Sequence, residues 1–219
     1  MKRLVIFLLP LSLMVLSIGS SAKTEITADS ALAELKVGNA HHVAHHYRRP
    51  HEGAARRREL RSGQHPHAQI LGCSDSRVPP EIVFDRGLGD LFVVRVAGNV
   101  ASDVELASLE YGAHHLHIPL LVVLGHQHCG AVTAAVEAGQ TEGHLNKLMD
   151  LLRPAVQKSR GVPGDPVENA VKANVEMVVA QLRTSTPVLA KLEAEGKLKI
   201  VGAIYSLDTG KVNWLTDGR

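Results

Sequence analysis

Five residues stand in two short runs where they could do chemistry together. Cys73, Asp75 and Arg77 lie in Gly72-Cys73-Ser74-Asp75-Ser76-Arg77, and His126 and Cys129 lie in Gly125-His126-Gln127-His128-Cys129-Gly130. Thiolate, imidazole and carboxylate are the donors zinc prefers, usually four in a tetrahedron. Cys73, His126 and Cys129 offer three, and Asp75 is the natural fourth. The spacing of His126 and Cys129 suits a tight turn running into a helix, whose N-terminal dipole would favour a thiolate at Cys129. The chain has 2 cysteines, so a Cys73–Cys129 disulfide is the competing reading, and an exported protein favours it.

Both runs follow apolar segments of strand character. Ala68-Gln69-Ile70-Leu71 ends on Gly72, and Leu120-Leu121-Val122-Val123-Leu124 ends on Gly125. Unbroken runs of this kind suit parallel strands buried on both faces. In open parallel sheets, ligands bind beyond the C-terminal strand ends, so the two runs point to one shared site. Leu91 to Val96 is a further strand, and Leu198 to Tyr205 a last long one. Asp208-Thr209-Gly210 turns the chain so that Val212 to Leu215 pairs back as a hairpin.

Helical patterns alternate with these strands. One helix, capped by Asp29 or Ser30, runs through Ala31, Leu32, Leu35 and Val43, and carries His41/His45 and His42/His46 at i,i+4 so that each pair shares a face. Ser102-x-x-Glu105 is a capping box that opens a helix with Val104, Leu106, Leu109 and Ala113 as its apolar positions. Helices are predicted over 131–138, over 144–153 before Pro154, and over 167–183, with a shorter piece from Pro187 to Gly196. The alternation predicts an α/β domain with a mostly parallel sheet flanked by helices, and the C-terminal hairpin at the sheet edge.

Composition narrows the class. The 219 residues are 45% hydrophobic and 21% charged, ordinary for a globular chain, but only 3% aromatic. A base-stacking surface needs more aromatics. Residues 1–22 read as a secretory signal peptide, with Lys2 and Arg3, an apolar run from Leu4 to Ile18, and small residues at Ser20 and Ala22. Without Lys2 and Arg3 the formal charge of +2 falls to zero, which argues against nucleic acid as a partner. The reading is a secreted protein of the bacterial periplasm, with a single domain over 23–219 and no stable membrane anchor. The basic stretch Arg56-Arg57-Arg58 with Arg61 is read as a solvated helix face.

The two runs resemble the signature motifs of β-class carbonic anhydrases. Gly38-Asn39, Pro79-Pro80-Glu81, Asp90-Leu91-Phe92-Val93-Val94-Arg95, Ala97-Gly98-Asn99, Ser108-Leu109-Glu110-Tyr111 and Leu207-Asp208-Thr209-Gly210 are also similar to that family, in its order. The resemblance implies one Zn2+ per subunit on Cys73, His126 and Cys129, and a dyad of Asp75 and Arg77. In one state Asp75 fills the fourth position. In the other Arg77 pairs with Asp75 and water takes that place. The implied reaction is reversible hydration of CO2 to bicarbonate and a proton. Zinc lowers the pKa of bound water to roughly 7, and the hydroxide attacks CO2. The resemblance also implies a homodimer or tetramer, with the N-terminal helix packing on a partner subunit.

CO2 is small and apolar, and Val78, Val100 and Tyr111 are candidates for its pocket. Val96 stands where many family members carry Asn, and the only Trp is Trp214 in the terminal hairpin, so regulation by a bicarbonate site built on an N-terminal Trp is not transferred. The chain has 13 histidines. His128 is read as an exposed loop residue rather than a proton shuttle. The 41–46 and 114–117 clusters are read as solvated rather than metal-binding. Two functional alternatives remain: hydrolysis of CS2 or COS on the same scaffold, and a non-catalytic exported zinc-binding protein.

Overall fold

The computed structural model describes residues 26–137 and 142–215. The proposed signal peptide lies outside the described residues. Five strands form one sheet: β1 (Ala68–Gly72), β2 (Leu91–Arg95), β3 (Leu120–His126), β4 (Lys199–Tyr205) and β5 (Val212–Trp214). Their order is β2-β1-β3-β4-β5. All neighbours are parallel except β4 and β5, which pair antiparallel as the C-terminal hairpin at the edge. The two apolar runs singled out in the sequence are therefore adjacent central strands, with Gly72 opposite Leu124. Every residue of β1 and β3 is buried.

Helices cover both faces. On one side lie α1 (Ala28–Val43) and the short α3 (Pro80–Val83). Ala31, Leu32, Leu35, Val83 and Phe84 pack there against Ile70, Leu120, Val122, Leu124, Val201 and Ala203. Thus α1 buries its apolar stripe on its own sheet. Gly38 of α1 lies so close to α3 that a Cβ would stand 1.8 Å from the Phe84 carbonyl oxygen. On the other side α4 (Asp103–Glu110), α7 (Pro166–Thr184) and α8 (Leu189–Ala194) pack on Leu71, Leu121, Val123 and Ile200. A third cluster joins α5 (Gly130–Glu137), α6 (Leu145–Ser159) and α7 around Cys73, Val100 and Cys129. Helix α2 (Ala54–Glu59) buries no residue, as the basic stretch predicts.

Several expectations need correction. The N-cap of α1 is Thr27, which exchanges hydrogen bonds with Ser30, rather than Asp29 or Ser30. The capping box at Ser102 and Glu105 forms, but Val104 is 73% exposed, and α4 passes at Tyr111–His115 into one turn of π-helix. Pro154 does not end α6, because the stripe Leu148, Leu152, Ala155, Val156 continues across it and Pro154 itself is exposed. A carbonyl freed by a missing N–H is tolerated where solvent reaches it. Helix α1 stops at Val43, and His45 has a φ of 55°, so the paired-histidine face does not form. Instead His41 Nδ1 bonds Asp85 at 2.9 Å, and His42 lies between the Tyr47 and Tyr205 hydroxyls at 2.8 and 2.9 Å.

Candidate metal centre

The chain leaves β1 at Gly72 and β3 at His126, side by side, so their loops must converge. Gly125 permits this: a Cβ there would meet Val175 Cγ2 at 2.6 Å, so any larger residue would push β3 away from α7. The donor atoms of Cys73, His126 and Cys129 all lie within 4.8 Å of one another and all three residues are buried. Among the described residues this is the only such group of His, Cys, Asp or Glu. The 41–46 and 114–117 histidines do not assemble one.

The sulfurs of Cys73 and Cys129 are 4.0 Å apart and both cysteines are free. A disulfide needs about 2.05 Å, so the competing reading fails on distance. The pair shares one proton. The hydrogen bond between the two sulfurs, the nearby His126 ring and the backbone N–H groups of Gly98 and Asp75 hold Cys73 at about 4 despite burial. Cys129 is pushed up by that same bond, by burial and by the neighbouring thiolate, against the N–H groups of Ala131 and Val132 at the start of α5. Two adjacent anions repel unless a cation joins them.

His126 is 0% exposed. Its Nδ1 donates to the Gln127 carbonyl at 2.8 Å, which fixes the tautomer and leaves Nε2 facing the sulfurs with no hydrogen-bond partner. Burial pulls its pKa down, but the Cys73 sulfur, the Gln127 carbonyl and Asp75 carry it above the ordinary value. A buried nitrogen without a partner, beside two sulfurs that cannot both ionise alone, is the donor set a zinc ion fits.

Asp75 adopts the arrangement paired with arginine. Arg77 Nε and backbone N each donate to Asp75 Oδ1 at 2.9 Å, and Nη2 donates to Oδ2 at 2.7 Å. This bidentate clamp takes Asp75 down to about 2. Oδ2 is 3.8 Å from His126 Nε2, within reach of the centre but outside the group of three. Arg77 Nη2 also donates to the His128 carbonyl at 3.2 Å. His128 is exposed, with a φ of 52°, and its backbone N–H donates to Glu168 Oε1 at 2.9 Å.

Of the pocket candidates, Val100 is 2% exposed and packs with both cysteines. Val78 packs in the α1-side core instead. Tyr111 is 48% exposed and lies against Phe92 and His115. Sequence reasoning assigned no role at the centre to Arg95, whose Nε donates to the Cys73 carbonyl at 2.8 Å, nor to Glu168 and Asn174 of α7. An arginine closing an otherwise apolar strand was the available signal for the first.

Comparison with known proteins agrees with this geometry. Residues 68–212 match the family model described as carbonic anhydrase. The carbonic anhydrase of Mycolicibacterium smegmatis is 40% identical over 187 residues, 84% of this chain and 91% of that one. Carbonic anhydrase 2 of Mycobacterium tuberculosis is 40% identical over 186 residues, 83% of this chain and 90% of that one. Among solved structures, a tetrameric β-carbonic anhydrase from Sordaria macrospora superposes with a TM-score of 0.68 at 27% identity, covering 74% of this chain and 86% of that one. The Coccomyxa β-carbonic anhydrase in complex with acetazolamide gives 0.66 at 32% identity, covering 72% and 75%. With a Cys-His-Cys group at the ends of two neighbouring parallel strands and relatives of this closeness along most of its length, the chain belongs to the β-carbonic anhydrase family of enzymes.

Proposed function

We propose that the protein hydrates CO2 reversibly to bicarbonate and a proton, with one zinc ion held by Cys73, His126 and Cys129. The observation that carries this is the buried, partnerless Nε2 of His126 facing the sulfurs of two free cysteines, with an arginine-clamped carboxylate 3.8 Å away. When bound, zinc supplies a Lewis acid that makes water a nucleophile at neutral pH.

The chain's own groups do the rest. Arg77 keeps Asp75 ionised, so Oδ2 can accept a hydrogen bond from the attacking oxygen and aim its free lone pair at the carbon of CO2. That lone pair forms the new C–O bond, one C=O electron pair moves onto oxygen, and the proton released goes to solvent. Val100 offers an apolar wall for CO2. The turn 126–129, held by Glu168 and Arg77, keeps two donors and the clamp in register. A storage protein has no use for such a clamp.

We extend the proposal to export through cleavage of residues 1–22, and to a homo-oligomer, supported by the tetrameric Sordaria relative. Metal analysis with stopped-flow CO2 hydration across pH tests the activity, with CS2 assayed alongside. About one zinc per chain and hydration far above free zinc support it. A metal-free active protein, or turnover of CS2 alone, overturns it.

A further inference from the structure

Asn174 is out of place in its helix. It is 1% exposed on a face of α7 otherwise made of Ala170, Val171, Val175 and Val178. Any apolar residue would continue that stripe, and burying a carboxamide costs free energy unless its polar atoms are matched. Only one of them is. Nδ2 donates to the Gly98 carbonyl at 2.8 Å, while Oδ1 has no protein partner.

Gly98 is the informative end of that bond. It sits at φ 71°, ψ 13° within the turn Ala97–Asn99, a conformation open to glycine at little cost. Its own N–H donates to Cys73 Sγ at 3.3 Å. The N–H and the C=O of one residue are rigidly related once φ and ψ are set. Holding the carbonyl from α7 therefore aims the N–H at the sulfur. Leu152 packs on the same glycine, where a Cβ would come within 3.2 Å of it, so the turn is pressed from α6 and hydrogen-bonded from α7.

We infer that Asn174 is a positioning residue for the metal centre: it fixes Gly98 so that the Gly98 N–H donates to the Cys73 sulfur, and thereby sets how strongly that sulfur donates to the metal. This rests on the reading of Cys73, His126 and Cys129 as a zinc site. An N–H bonded to a ligating sulfur draws charge from it and restrains its direction, and losing such an outer partner typically changes metal affinity on the order of 10–100-fold. A residue serving the fold alone would alter stability and leave the metal–sulfur bond unchanged.

The test compares the full chain with Asn174→Leu and Asn174→Ser, using Gln181→Leu as control. Gln181 Nε2 donates to the Ala101 carbonyl at 3.0 Å, a similar tie from the same helix with no bond onward to a sulfur. Each protein is loaded with Co2+, whose thiolate charge-transfer band reports the metal–sulfur bond, and metal release to a chelator is timed. The Asn174 variants should shift the band and release metal about 10–100-fold faster, while Gln181→Leu keeps native values. Native band and native release in a folded Asn174 variant overturn the inference. Should neither variant fold, 113Cd-loaded native protein decides: coupling between the Gly98 amide proton and cadmium supports it, and absence of coupling overturns it. A native chain that takes up no metal at all removes the zinc reading itself, and this inference with it.

Discussion

Removing one sulfur separates the metal centre from the scaffold that carries it. Cys73→Ser and Cys129→Ser change little volume, yet each replaces a thiolate by a hydroxyl that stays protonated. Metal content should fall to background in both, measured by atomic absorption on folded protein, and zinc retained at one per chain would refute the assignment. Asp75→Asn should keep its zinc and lose on the order of a hundredfold or more in turnover, because an amide cannot serve as an anionic acceptor. The sign of the Asp75 shift sets its pH behaviour. Its folded value of about 2 lies below the unfolded carboxylate value, so the contribution of the pair to stability is complete above about pH 4 and is lost as pH falls through about 2. Arg77→Ala should move the Asp75 titration up toward about 4, read from its carboxyl carbon chemical shift. The five residues of the site were legible because each carries a donor or a charge just past a strand-like run. Gly98 and Asn174 were not, since Gly98 acts through its backbone N–H and C=O, and the Asn174 carboxamide reaches that carbonyl only in the folded chain.

At the scale of elements, α7 does more than cover the sheet. Its N-cap Asp165 accepts from the Glu168 N–H at 2.9 Å, and Glu168 in turn accepts from the His128 N–H. His128 is held in a left-handed conformation that a non-glycine residue adopts only at some cost. Glu168→Ala should cost about 1–3 kcal/mol in urea unfolding and lower kcat, while Glu168→Gln, which keeps an acceptor oxygen, should stay near native. Equal loss in both variants would mean that charge, not the hydrogen bond, matters. Gly125→Ala should destabilise by about 1–3 kcal/mol through overpacking on Val175, with the urea midpoint as readout. Strands β1 and β3 were legible because burial on both faces writes an uninterrupted apolar run. The end of α1 was not: helical spacing continues through His45 and His46, but hydrogen bonds to Asp85 from His41 and from the Arg48 and Arg49 N–H groups draw the chain away. Pro154 misled for the opposite reason, because the packing of α6 on α7 outweighs one absent N–H.

For the whole molecule, the α/β architecture and the edge hairpin follow from alternating patterns and the hairpin signal, whereas the order of the parallel strands and the assembly leave little trace in one chain. An edge strand with half-buried Leu91, Phe92, Val93 and Val94 suits a further subunit, and light scattering should find an even oligomer. A monomer at micromolar concentration would reject it. The shared proton between the two sulfurs has a consequence for metal uptake as a whole. With Cys73 already a thiolate at neutral pH, an incoming dication displaces one proton from the pair rather than two. His126, raised above its ordinary value, yields another only in more acidic solution. Calorimetry in buffers of different ionisation enthalpy should therefore count about one proton released per metal where His126 is neutral and more as falling pH protonates it, so that affinity falls more steeply with each step into acid.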